Sequence, residues 1–389
     1  MTCQELEIKT LNSIDEIGRQ SINSLGCDGF HTYEWLKTLE KAQPFRILPQ
    51  HFIVSEDMRL EAIALCFLEY SSQYRTVEEL FPFSRTLRRL GSHFGLGENP
   101  PLVCYSPSSF QSKILFAECS NQREILHSLS KRIDDFCAEN KILMSCFPYV
   151  SQFDKLLMNN LPVFGYLGSP VADTYYLDIE WPSFLGYLES LGCNMRHNVR
   201  REIRKCKDEG IVIQREEDIK RLSEELSHLY NNLYQKYNRG RLCPVNDKFF
   251  NGLGDNGGQK VRLMTARKNG KLVGFCISLC HSHTLDVFMT GFDYDCRTRT
   301  DSTYFNLCYY KQIEMAIEEG VKKIHFRGAS DEAKLRRGCR RERMYMYTKI
   351  QNPILRPMIS QYMRLMNNMR NRGMRMPSSS ILANLAVSN

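Results

Sequence analysis

Residues 304–350 read YFNLCYYKQIEMAIEEGVKKIHFRGASDEAKLRRGCRRERMYMYTKI, two helical or extended periodicities joined by one polar turn. As far as Gly320, which supplies a stop, Phe305, Cys308, Tyr309, Ile313, Ala316 and Ile317 recur at helical spacing. Lys311, Glu314 and Glu318 are left to face water. Residues 321–326 then form a short buried strand. Arg327, Gly328, Ala329 and Ser330 make a turn, and 331–338 is long enough for about two helical turns carrying Glu332, Lys334 and Arg337. Alternation returns over 344–350. Open α/β sheets bind their ligands at strand ends, so this turn is the first place to look for a site.

The rest of the composition sets the scale. A chain of 389 residues exceeds one ordinary core and suits two domains. Its 42% hydrophobic and 25% charged residues are those of a soluble globular protein. No apolar run is long enough to span a membrane, and the opening MTCQELEIKT has neither the basic nor the apolar region of a signal peptide, which predicts a cytoplasmic protein. The 15 cysteines are scattered through apolar runs such as IALCFLEY and VGFCISLC, as buried thiols are. No CxxC pair occurs, and neither a metal site nor a resident cofactor is expected.

Working outward, the first half predicts helices over 13–25 and 30–42 and a hairpin of 51–54 with 60–70 around SEDMR. An irregular aromatic and basic segment follows over 71–101, then a strand over 102–105. Helix 123–140, strand 142–150, helix 153–160 and extended structure over 166–179 complete it. The second half repeats that order. Helices over 181–191 and 195–209 lead to strand 211–214, the longest helix over 218–237 and a brief one over 247–253. A hairpin of 261–266 with 271–281 turns on the Asn-Gly of RKNG, strand 285–292 follows, and 304–350 closes the unit. Shared element order, without residue identity between the halves, points to duplication. The expected fold class is α/β: two tandem domains with mixed central sheets flanked by helices, over 1–180 and 181–352. A basic, Met-rich helix and disordered tail are expected over 353–389.

That order resembles the GNAT acyltransferase fold, and two copies in tandem resemble the Fem aminoacyl-tRNA-dependent peptidoglycan transferases. FHTYEWLKTLE, HFIVSEDMRLEAIALCFLEY, FLGYLESLGCNMRHNVRREIRKCKDEGI and the 304–350 stretch together resemble the FemAB-like GNAT family of peptidoglycan biosynthesis or recognition proteins, over roughly residues 30 to 350. RHNVRREIRK is similar to that family's arginine-rich helix, with Arg196, Asn198, Arg200 and Glu202 matching and Val199 at its buried position. GASDEAKLRRG is similar to its Gly-Ala-Gln-Gly-Glu-His-Lys…Arg-Gly turn. Gly328, Ala329, Glu332, Lys334, Arg337 and Gly338 match that turn, while Ser330, Asp331 and Ala333 replace its Gln, Gly and His. The resemblance implies amide formation, by transfer of an aminoacyl or acyl group to an amine.

Such a transfer needs a donor for the developing oxyanion and an acceptor for the amine proton. Lys334 or Arg337 can supply the positive charge. Glu332, or Asp301 ahead of the helix, can take the proton, and Tyr309 can relay one. The bland alternatives are a surface ion pair between Lys334 and Glu332, core packing for Tyr309 and an N-cap for Asp301. Arg327 and Ser330 lie on the same turn and are candidates for holding substrate.

Where acetyl-CoA enzymes of this fold carry a glycine loop for pyrophosphate, this chain has FDYDCRTRTDST, with no glycine after Gly291. Arg297 and Arg299 there can still meet phosphate. Arg196, Arg200 and Arg204, spaced four apart, project from one side of a helix anchored by Val199, Ile203 and Cys206. A net charge of +8 concentrated this way suits an anionic donor: aminoacyl-tRNA, an acyl carrier protein, or an acyl thioester. A solvated helix face is the alternative. The acceptor class is an amine-bearing small molecule or cell-wall precursor. The tail over 353–376 can dock on the second domain, contact RNA or lie on an anionic membrane surface.

Overall fold

The computed structural model describes residues 6–26, 29–43, 47–70, 100–118, 120–237, 243–295, 302–328 and 330–354, with 356, 357, 360, 361 and 364. The expected irregular segment over 71–101 lies almost wholly outside these residues, as does most of the tail. Two compact units divide at Ala172/Asp173 and Glu342/Arg343. The first therefore takes the chain from Arg343 as well, a different division from that at 180 and 352.

Among the described residues the strands run β1 (Glu7–Leu11), β2 (Ile47–Pro49), β3 (His51–Glu56), β4 (Arg59–Ala64), β5 (Cys66–Glu69), β6 (Leu102–Cys104), β7 (Ile114–Phe116), β8 (Met144–Ser151), β9 (Leu167–Asp178), β10 (Ile211–Glu216), β11 (Val261–Lys268), β12 (Lys271–His281), β13 (Thr284–Phe292), β14 (Lys323–Arg327) and β15 (Arg340–Ile350). In the first unit β1-β3-β4-β7 form one sheet, and β8, β6, β5 and β2 are successive neighbours in another. The expected strand over 60–70 is thus two strands in different sheets, parting at Leu65. From Met344 onward β15 pairs antiparallel with β8, which is why those residues belong to the first unit. Helix Gln122–Glu139 turns Ile125, Leu126, Leu129, Ile133 and Phe136 inward, the face its apolar spacing dictates.

In the second unit the order is β10-β11-β12-β13-β14-β9. Asn269 (φ 51°) and Gly270 (φ 78°) are both left-handed, as the hairpin between β11 and β12 requires. β13 and β14 are the parallel pair, joined through a helical crossover, and β6 and β8 form the matching parallel pair of the first unit across helix Gln122–Glu139. This shared feature supports the repeat in element order. Helix Ser223–Tyr237 crosses β13 closely enough that a Cβ on Gly291 would lie 2.8 Å from the backbone of Leu229 and Tyr230, so only glycine fits there. That helix is shorter than expected, because 220–222 is a separate 3-10 turn; Gln122–Glu139 is longer.

The crossover helix is not uniform. Asn306–Tyr310 is a π turn between Thr303–Phe305 and Lys311–Glu318. A wider turn leaves backbone carbonyls without their usual partners, and buried Gln312 donates to the Leu307 carbonyl at 3.2 Å while accepting from Ser278 Oγ at 3.0 Å. The wider turn brings Tyr309 and Tyr310 inward side by side, both 2% exposed.

Candidate functional site

β14 ends at Arg327 in the left-handed backbone region (φ 62°), and Ser330 repeats that conformation (φ 57°). The two reversals carry the chain out of the sheet and into the helix Asp331–Arg336. Lys334 lies on the buried side of that helix, 2% exposed. Its Nζ donates to the Arg327 carbonyl at 2.9 Å and to the Gly328 carbonyl, and it stands 5.3 Å from the centre of the Tyr175 ring. An ammonium has three N–H donors, and the third has no partner among the described residues. Burial pushes the Lys334 pKa down to about 7, against the opposing fields of Cys339 and Asp331 and with Arg327 adding to the fall.

Tyr175, on the part of β9 that pairs with β14, has its pKa raised by burial and then by the negative charge of Asp331. Asp331 is exposed. Beside it, the Ser330 hydroxyl is buried and has no hydrogen-bond partner among the described residues; it does not cap the helix it precedes. Lys334, Tyr175, Asp331 and Ser330 thus form one constellation at the end of a strand paired parallel with β13.

Arg337 is brought to a different place. It is 4% exposed, with Nε donating to Tyr310 Oη at 3.0 Å, one terminal nitrogen to the Ala333 carbonyl at 3.0 Å and the other to Glu202 Oε2 at 2.9 Å. Its guanidinium lies 3.8 Å from the Phe305 ring centre. Burial alone would lower the Arg337 pKa, and Tyr310 and Glu202 more than reverse this. Tyr310 also donates to Glu202, and Asn306 Nδ2 to the Glu202 carbonyl at 3.0 Å. Arg337 therefore bolts the turn to helix Cys193–Asp208 and to the π segment.

The remaining expected residues divide in the same way. Glu332 has a side chain 78% exposed and pairs with Arg336, so the surface pair suggested for Lys334 and Glu332 is absent: Lys334 turns inward. Tyr309 stacks on Phe326 at 4.8 Å between ring centres, and its hydroxyl is 3.5 Å from that of Tyr304, a core position. Arg327 is 5% exposed and faces Asp286 at 3.4 Å. Arg196 caps the helix Phe184–Ser190, donating to the carbonyls of Leu188 (3.1 Å), Glu189 (3.0 Å) and Leu191 (3.1 Å). Asn198 is half-buried, while Arg200, Arg201, Arg204, Lys205 and Lys207 are exposed and make no ion pair among the described residues. Val199 and Cys206 anchor the opposite side of that helix. Arg297, Arg299, Asp301 and Ala329 lie outside the described residues.

Sequence reasoning did not single out Tyr175, Asp331 or Tyr310. The phenols sat in apolar runs with nothing to distinguish them from core residues. Asp331 had a signal, since it follows the turn directly and starts the helix that carries Lys334.

The protein is thus one of tandem α/β units, each with a parallel strand pair joined by a helical crossover, with a lysine-bearing turn at the end of one such strand. The chain belongs to the FemAB-like family, described as peptidoglycan biosynthesis/recognition, whose pattern matches residues 13–381. No curated protein matches the sequence. Among solved structures the chain is similar to FemX, at TM-score 0.58 and 10% identity, covering 91% of this chain and all of that one. It is also similar to L-PGS from Bacillus licheniformis, at TM-score 0.53 and 11% identity over 94% of this chain and 100% of that one. A third is the C-terminal domain of a putative lysylphosphatidylglycerol synthetase from Agrobacterium fabrum, at TM-score 0.53 and 11% identity over 92% and 97%. At such identities the likeness is one of fold. Among the described residues no helix is long and apolar enough to cross a membrane.

Proposed function

We propose that this chain is an N-acyltransferase in which Lys334 stabilises the oxyanion formed when an amine attacks the donor's carbonyl. The observation that carries this reading is the ammonium held by two backbone carbonyls, its third N–H without a partner among the described residues, at a strand end of the kind where open α/β sheets bind ligands. As the amine adds to the carbonyl carbon, the C=O pair moves onto oxygen, and the Lys334 N–H donates to it. Removing a donor of this kind costs on the order of 10²- to 10³-fold in turnover. The proton leaving the amine goes to Asp331, the exposed carboxylate of the constellation; collapse of the intermediate then expels the donor's leaving oxygen or sulfur. The buried Ser330 hydroxyl has a donor to offer a polar substrate atom.

For the donor, the row of exposed cations from Arg200 to Lys207 favours a polyanion, and aminoacyl-tRNA fits a repeated phosphate chain better than one pyrophosphate. An acyl carrier protein, acidic on its surface, is the second reading, favoured by the same residues. The acceptor class that the family description supports is an amine-bearing cell-wall precursor. The test mixes purified protein with radiolabelled aminoacyl-tRNA, acyl carrier protein thioester or acyl-CoA in parallel, with peptidoglycan precursors as acceptors. Transfer from one donor, lost in Lys334→Met with the circular dichroism unchanged, is the expected result. Full turnover in Lys334→Met sinks the assignment. Binding of precursor without transfer from any donor would make this a recognition protein instead.

A further inference from the structure

The side chains around Arg327 take no part in the proposed transfer itself. Arg327 is a nearly buried, non-glycine residue in the left-handed region, at a point where the register between β14 and β9 shifts between His325 and Arg327. Such a conformation persists only where its surroundings hold it. On the neighbouring strand one oxygen of Asp286 forms an ion pair with a terminal nitrogen of Arg327 at 3.4 Å, and the other is 2.6 Å from His281 Nε2. Asp286 is in register with His325, so the three side chains share one face of the parallel pair. Burial would raise the Asp286 pKa, and Arg327 and then His281 bring it down instead. The same residue whose guanidinium Asp286 grips is the one whose carbonyl receives Lys334 Nζ.

We infer that Asp286, acting through Arg327, is a positioning residue for Lys334: its carboxylate fixes the guanidinium, the guanidinium fixes the left-handed peptide, and the peptide carbonyls fix the ammonium. The inference rests on the reading of Lys334 given above for its functional meaning, though not for its measurement. The charged and titratable groups around the two ends are few. Lys334 faces Asp331 and Cys339 on its own segment, Arg327 on β14 and Tyr175 on β9. Asp286 faces His281 on β12, with Arg327 and His325 on β14; His325 in turn feels Glu342 on β15 and Lys323. Asp286 is thus an anion paired with Arg327, and Arg327 is a cation whose charge bears on Lys334.

Two substitutions move Lys334 in opposite directions. Asp286→Asn removes the anion paired with Arg327 and releases the peptide carbonyls, so Lys334 loses its proton at lower pH, by about one unit. Arg327→Gly removes the cation while keeping a residue at ease in the left-handed region, and Lys334 then titrates higher, by about one unit. The measurement is a pH titration of the full chain labelled with [ε-13C]lysine, followed by NMR, the Lys334 resonance being identified by its loss in Lys334→Arg. Opposite movements of the midpoint support the inference; midpoints in both variants within a few tenths of the parent's overturn it, because a merely structural ion pair would leave them unmoved. If Asp286→Asn does not fold, Asp286→Ser takes its place, with the same downward movement expected and an unmoved midpoint overturning the inference. Full transfer activity in Lys334→Met would refute the catalytic reading and leave the titration result standing, so the two failures are told apart.

Discussion

Arg337 and Glu202 meet at 2.9 Å across 135 residues of sequence, the guanidinium 4% exposed and the carboxylate 16%. A buried pair of this kind is most sensitive to loss of one partner, because the other is then stranded without water. Glu202→Gln and Arg337→Met should each destabilise the second unit by about 3 to 5 kcal/mol, and Glu202→Met with Arg337→Met together by less than the sum of the two. Urea unfolding of the three variants checks this. Additive losses would show that the two residues act independently.

How far the sequence carries is clear from the same residues. Helical and alternating periodicity placed most elements within a few positions, because apolar spacing is a local property. The glycine and the Asn-Gly turn were legible for the same reason. Arg337 read as a candidate positive charge for the oxyanion, since nothing local tells that Glu202 and Tyr310 wait for it. Lys334 was picked out by resemblance, yet its burial followed from two left-handed residues, Arg327 and Ser330, neither of which is a glycine that would have flagged the bend. Arg196 matched a family position, but its three carbonyl partners belong to the helix before it, and its role as a cap depends on the angle between two helices. Strand β15 read as part of the second domain because it follows it in sequence; pairing with β8 decided otherwise.

Lys334 should give stability and activity opposite dependences on pH. Its folded pKa, about 7, lies below the ordinary 10.5, so between those values the unfolded chain binds more protons than the folded one. Its contribution to stability is therefore full above pH 10.5 and is lost as pH falls through about 7, at about 1.4 kcal/mol for each pH unit between the two values. Lys334→Met should lack this rise in stability with pH when the two proteins are compared by thermal or urea unfolding. Turnover, which needs the ammonium, should fall as pH rises through the same midpoint. A parent and variant with parallel stability curves would argue that Lys334 is not held in the buried state described.

The two neighbouring carboxylates, Asp331 and Glu332, separate cleanly. The charge of Asp331 acts on both Tyr175 and Lys334, whereas Glu332 pairs with Arg336 at the surface. Asp331→Asn should lower turnover by about 10²-fold as an acceptor of the amine proton is lost. Glu332→Gln should change turnover less than about twofold and stability by under about 1 kcal/mol, as exposed pairs do. Steady-state kinetics on both variants decides which carboxylate accepts the proton, and equal effects would assign the work to neither.

The exposed face of helix Cys193–Asp208 is the last point at which charge and function can be separated by experiment. Arg200, Arg201 and Arg204 lie within little more than one turn and make no ion pair among the described residues, whereas Glu202 and Val199 face inward and hold the helix in place. Replacing the three arginines with glutamine should leave the fold and the Lys334 titration as they are, because none of the three touches either. If a phosphate chain runs over this face, its release of counterions makes binding salt-dependent, by about 0.7 to 0.9 in the slope of log K against log salt for each phosphate contact. The triple variant should then bind tRNA with a slope shallower by about two and with KM for the charged donor raised at fixed salt, while kcat at saturation is retained. Filter binding across a salt series reads the slope, and the transfer assay reads the split between KM and kcat. A parent protein whose affinity for tRNA is insensitive to salt would show that the basic helix carries a solvated face and that the donor approaches from elsewhere.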